Sequence, residues 1–192
     1  LEYNIYRSVN GIFGYVGTSN TLTFKDDNIE PDLSSCAPVE TNPFENENPS
    51  VVCYYQQRKI YASSSSSPQT LWASQTGTNN NFNISRPLNP TDSLSLSIYD
   101  SVANKIQCLI PFDDLIVITS SAEWCVNGAD KVFSANPAPV AKLQSYYGAA
   151  KIKPVISGSM VLFVQSGGNI VRDVQFLGNL AALLHQVAAA LL

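Results

Sequence analysis

The chain has 192 residues, of which 45% are hydrophobic and 14% charged, with a formal net charge of −4. That length holds one large domain, or one medium domain and a fragment. The mild acidity argues against a surface built to grip nucleic acid through phosphate contacts, although not against a channel past which DNA slides.

In chain order, Tyr3–Ser8, the Asn10-Gly11 turn and Phe13–Gly17 predict a β-hairpin, and Thr21–Phe24 predicts a following strand. Residues 31–50 contain Pro31, Pro38, Pro43 and Pro49 among many polar residues, which reads as a linker or a long surface crossing. From residue 50 the pattern becomes one of short strands. Val51–Tyr55, Lys59–Ala62 and Thr70–Ala73 come first, with the Ser63–Ser67 run as a loop between the second and third. Leu94–Ile98 alternates strictly, and Lys105–Ile110, Leu115–Thr119 and Glu123–Val126 follow. Ile152–Ile156, Met160–Val164 and Asn169–Val174 are the later strands, with turns at Asp113-Asp114, Ser157-Gly158 and Gly167-Gly168. The only helical expectations are a short one at Pro139–Tyr147 and the uncharged Ala/Leu segment 177–192. That last segment is short for a membrane span. It reads either as a helix that needs a partner surface or as a non-native end. No initiator Met or signal peptide opens the sequence, and Leu1-Glu2 reads as a cloning remnant on an excised piece of a longer protein.

The sequence also echoes itself. Lys105-Ile106 recurs as Lys151-Ile152, and at the same spacing Ile110 maps to Ile156, Leu115 to Val161 and Ile118 to Val164. Lys59–Ala62 through Leu71–Ala73 is a less regular third copy. A repeat of about 40–50 residues holding three or four short strands matches a propeller blade. The fold expected is therefore all-β: a partial propeller-like domain over 51–176, preceded by a separate β segment over 1–30 and the linker 31–50.

Residues able to carry chemistry are few. His185 is the one histidine, placed in the Ala/Leu segment, so no catalytic triad can be assembled around it. Asp26-Asp27 and Asp113-Asp114 are adjacent pairs at turns, and neighbouring side chains on a strand point apart, so neither forms a hydrolase dyad. Cys36, Cys53, Cys108 and Cys125 lack CxxC or Cys/His zinc spacing. Cys53, Cys108 and Cys125 read as buried thiols, which suits a reducing cytosol, with one disulfide among them as the alternative. No catalytic, cofactor or metal residue is assigned. Trp72 and Trp124 read as core residues at similar places in their copies. With Tyr54, Tyr55, Tyr99, Tyr146 and Tyr147 they could instead form a sugar-stacking platform.

Several ordered motifs resemble one family. Tyr54-Tyr55-Gln56-Gln57-Arg58-Lys59-Ile60-Tyr61-Ala62 is similar to the FxQQRxxFAG strand of tail proteins from short-tailed bacteriophages. Pro68–Ser74, Thr76-Gly77 and Asn81-Phe82 resemble their PQTxWxSxxGxxxNF run. Ile106–Ile110, Leu115–Ser120 and Glu123-Trp124 resemble their I…L…DLLVLTSxxEW core. The likeness covers about residues 50 to 176, and the family is that of tail nozzle proteins, tail tubular protein B-like and also described as packaged-DNA stabilisation proteins. It implies a virion tail protein made in the bacterial cytoplasm, with propeller-like domains in a hexameric ring of identical subunits. Its implied partners are the portal adaptor and fibre, spike or plug proteins, with DNA passing through the lumen. It also implies that Tyr3–Asn28 ends a fibronectin type III-like module. The rival expectations are a carbohydrate- or host-receptor-binding β module and, third, a cell-wall hydrolase fused to the tail.

Overall fold

The computed structural model describes residues 1–39, 41–102, 104–176 and 183–190. The chain is all-β, in four antiparallel four-stranded sheets. Strands β1 (Tyr3–Val9), β2 (Ile12–Ser19) and β3 (Asp32–Val39) open it. Strands β4 (Val51–Tyr55), β5 (Arg58–Ala62), β6 (Thr70–Ala73), β7 (Ile84–Arg86) and β8 (Leu94–Ser97) follow. Next come β9 (Ile106–Pro111), β10 (Leu115–Thr119), β11 (Glu123–Asn127) and β12 (Val140–Ser145). The last four are β13 (Val155–Ser157), β14 (Met160–Val164), β15 (Ile170–Phe176) and β16 (Leu183–Ala190). The first sheet has the order β1-β2-β3-β7, the second β4-β5-β6-β8, the third β9-β10-β11-β12 and the fourth β13-β14-β15-β16.

The expected β1–β2 hairpin is present, with Val9 paired to Ile12 across Asn10 and Gly11, both in the left-handed region. Four expectations are corrected. Thr21–Phe24 is not a strand, and the Ser19 and Thr21 side chains hydrogen-bond this stretch of backbone locally instead. Residues 31–50 are not simply a linker, because Asp32–Val39 forms β3 and pairs with both β2 and β7. This pairing joins the N-terminal hairpin to a strand from the middle of the chain, so the domain boundary at residue 30 falls inside one sheet. Pro139–Tyr147 holds a strand, β12, rather than a helix. Leu183–Ala190, expected as helix, is β16 and pairs along β15. Ladder pairing with an existing sheet edge outweighs Ala/Leu helix propensity there. The rest of the Ala/Leu segment lies outside the described residues.

The second, third and fourth sheets are successive meanders packed face on face. One core joins the second and third through Ile60, Leu71, Leu94, Leu115, Val117 and Trp124. Another joins the third and fourth through Cys108, Ile116, Ile118, Val161, Phe163 and Val174. Strand β10 explains why. All five of its residues are buried, with Leu115 and Val117 facing one neighbour and Ile116 and Ile118 the other. A strand covered on both faces needs an unbroken apolar run. Each such side chain contributes about 1.5–3 kcal/mol of burial.

Among the described residues no helix is long and apolar enough to cross a membrane.

Candidate functional site

The Tyr55–Arg58 motif sits at the tight turn between β4 and β5. Gln56 and Gln57 both adopt left-handed backbone, with φ of 45° and 60°. The two-residue turn requires that geometry, which Asn-Gly would adopt more easily. Side-chain bonds hold Gln56 in place. Its amide Nε2 donates to the Lys131 carbonyl at 2.8 Å, and its Oε1 accepts from the Phe133 N–H at 2.8 Å. The turn of one meander is thereby clasped to the β11–β12 connection of the next.

Arg58 points the other way, into the protein, and is 1% exposed. Its guanidinium donates to the carbonyls of Ser74 at 2.8 Å, Asp92 at 2.5 Å and Pro90 at 2.7 Å. The Asp92 carboxylate, also buried, accepts from the Ser85 N–H and hydroxyl, the Asn89 N–H and the Gln75 amide. Burial pushes the Arg58 pKa down and the nearby Asp92 charge opposes that shift. This knot ties β5 to the long excursion between β6 and β8. It is a structural role for the arginine of the motif, with no substrate-facing atom.

The other sequence candidates are scattered. Asp26 pairs with Arg7 at 3.1 Å and Asp27 with Lys25 at 2.9 Å, both at the surface. The Asp113 carbonyl accepts the Tyr55 hydroxyl, and Asp114 accepts the Cys125 thiol at 3.4 Å. His185 is paired with Val174 in the β15–β16 ladder. Among the described residues no group of three His, Cys, Asp or Glu side chains is placed to hold a metal. Trp72 and Trp124 occupy equivalent places on the third strands of their meanders. Trp124 is buried against the preceding meander. Trp72 is half-buried on the outer face of the first meander, with the Phe44 ring 5.5 Å away. Tyr99 and Tyr146 stand in solvent, and Tyr55 is buried against Phe133, so the aromatic residues of the sequence do not form one platform.

All four cysteines are free, and Cys53, Cys108 and Cys125 are buried. Burial pushes their pKa values up to about 12, 11 and 12. At pH 8 they stay protonated and poorly nucleophilic. Titration of the folded chain with a thiol reagent will modify Cys36 first, and the other three only on unfolding. Rapid modification of all four in the native chain would contradict this burial.

Glu123 is the one fully buried carboxylate in the third sheet. One oxygen accepts from the Ser145 hydroxyl and from the Tyr147 N–H at 3.2 Å; the other has no hydrogen-bond partner. Burial raises its pKa above 4.5, against the opposing effects of the Ser145 hydroxyl, of the nearby Tyr147 and Gly148 backbone N–H groups and of Arg172. A raised folded pKa stabilises the fold most below the ordinary Glu value, and that contribution is lost as pH climbs through the folded value. Urea titrations should show wild type gaining stability relative to Glu123→Gln as pH falls from neutral toward 4.5. A constant difference across that window would contradict the assignment.

Two features concern assembly. Ser50–Val52, Gln107–Leu109 and Lys151–Pro154 line one cleft of about 290 Å³, so the first strands of two meanders and the entry to the third converge. The outer face of the fourth sheet presents Val155 and Met160 to solvent, leaves Leu162, Val164 and Val171 half-buried, and carries Asp173 opposite Leu162.

Compared with known proteins, the chain matches no family model and no curated protein.

Proposed function

We propose that the chain is a non-enzymatic structural piece of a short bacteriophage tail, part of the nozzle below the portal and adaptor that retains or guides packaged DNA. The observation that carries this reading is the run of three successive four-stranded meanders, stacked through two shared cores and converging by their leading segments. That arrangement is what consecutive propeller blades would have. The motif residues fit it too. Gln56 and Arg58 serve turn and packing roles, and Trp124 fills the space between meanders, as expected of residues with an architectural role.

In this reading the chain supplies part of a propeller-like domain, and identical subunits close a hexameric ring in the virion tail. The exposed Val155 and Met160 of the fourth sheet and the low charge content of the chain suit an obligate interface, whose buried centre is depleted of charge. The mechanism is mechanical: a closed rotational ring surrounds a lumen through which DNA passes without base-specific contacts. The test is deletion of the gene from the phage or prophage that encodes it. Filled heads that leak DNA or lack the distal tail, restored by complementation, support the proposal. Normal tails with unchanged plating would overturn it.

A further inference from the structure

The segment after β3 crosses the outer face of the β4–β8 meander and tucks Phe44 between Tyr61, Trp72 and Phe82. Beside it the loop 80–83 rises from the same face. Between strap and loop lies an open cleft of about 470 Å³, within the range of about 300–1,000 Å³ typical of small-molecule sites.

Its lining has an unusual chemistry. Asn42, Asn80, Asn81 and Asn83 face it together with Phe44 and Tyr61; among the described residues no charged side chain lines it, and the nearest cation is Lys59 Nζ, 4.9 Å from the Tyr61 ring centroid. The walls are fixed from behind. Asn83 Oδ1 accepts from the Thr41 N–H at 3.1 Å, and Asn81 Oδ1 accepts from the Asn83 N–H at 2.9 Å. Asn81 Nδ2 donates to Gln75 at 2.8 Å, and the Ser93 hydroxyl donates to the Phe82 and Asn83 carbonyls. Gln75 is itself bonded to buried Asp92, so the loop is anchored to the Arg58 knot. Asn42 Oδ1 accepts from the Phe44 N–H at 3.2 Å and shapes the strap.

These bonds occupy carboxamide oxygens and leave donors unused. Among the described residues, Nδ2 of Asn42 and Asn83 and both amide atoms of Asn80 make no protein hydrogen bond. A carboxamide offers both donors and an acceptor, which matches hydroxyl groups that also do both. Three held amides and the free-standing Asn80 amide beside half-buried aromatic rings, with no charged side chain among the described lining residues, suit a compact neutral polyol better than phosphate or carboxylate. We propose that this cleft is a binding subsite for a neutral saccharide, one or two pyranose rings in size. The proposal stands independently of the tail reading.

The test is NMR shift mapping on the intact chain with chitobiose, maltose and lactose as neutral probes and glucuronic acid as the charged control. The expected result is saturable shifts at 41–44 and 80–83 with at least one neutral probe and none with glucuronate. Asn80→Ala, at an exposed position without internal bonds, should weaken that probe at least tenfold while leaving the thermal unfolding midpoint unchanged. No saturable shift at these residues with any neutral probe at millimolar concentration would overturn the proposal. So would equal binding of glucuronate, or an unchanged affinity in Asn80→Ala.

Discussion

Replacing Arg58 by Met will lower the stability of the chain by about 2–4 kcal/mol, chiefly the cost of leaving the Ser74 and Asp92 carbonyls without a donor. The side chain is almost wholly enclosed, and the Ser74 and Asp92 carbonyls have no other donor among the described residues, whereas the Pro90 carbonyl also accepts from the Ala135 N–H at 3.0 Å. Met fills a similar volume, so the loss is electrostatic rather than a cavity. Each buried carbonyl left without a donor costs about 1–3 kcal/mol. Relief of the arginine's own desolvation offsets part of that sum. Met also removes a favourable charge interaction with Asp92, whose carboxylate keeps its own hydrogen bonds from Ser85, Asn89 and Gln75. Arg58→Lys will recover only part of the loss, because one ammonium cannot reach three divergent carbonyls as a planar fork does. Urea unfolding of the two variants and wild type measures this directly. A Met variant within about 0.5 kcal/mol of wild type, the range of ordinary surface changes, would show that the knot is incidental.

The second large effect is paired. Leu115→Ala and Ile116→Ala should each cost about 2–5 kcal/mol, the usual range for truncating a large buried aliphatic side chain. The residues are adjacent, yet they project to opposite faces of β10 and lie in different cores. A sheet with one wet face would lose stability at only one of the two positions. Equal, large losses are the signature of a sheet packed between two others. Should either variant unfold like wild type, the stack of three meanders would be broken at that face.

Much of this stack was legible in the amino-acid order. Strands β4, β6, β10 and β14 coincide with the apolar or alternating runs expected, because each is short, β-branched or aromatic, and bounded by a turn. The strands missed are of a different kind. Asp32–Val39 contains Ser34, Ser35 and Pro38, and it is an inner strand whose pairing is irregular on both sides. Ile84–Arg86 is only three residues long, and its partner lies far earlier in the chain. Neither carries a local period strong enough to read.

The fourth strands of the last two meanders were a missed opportunity. Val140–Ser145 and Leu183–Ala190 stand at nearly the spacing of the echo that links β10 to β14. Carrying the repeat one strand further would have opposed the helical reading of both. Local propensity favoured helix there, while position within the repeat favoured strand, and position prevailed.

The Asn-lined cleft illustrates the other limit. Its residues come from 41–44, Tyr61 and 80–83, three stretches that only the path of the strap brings together. The aromatic residues singled out in the sequence omit Phe44 and Phe82, because nothing in their local context marks them as neighbours of Tyr61.

Immunogold electron microscopy of phage particles from the source strain, with antibody raised to this chain, tests the central proposal most directly. With epitope accessibility established by a positive control, gold at the tail below the capsid is the predicted result. Intact tailed particles that carry no label, with the protein recovered elsewhere in the cell, would contradict it.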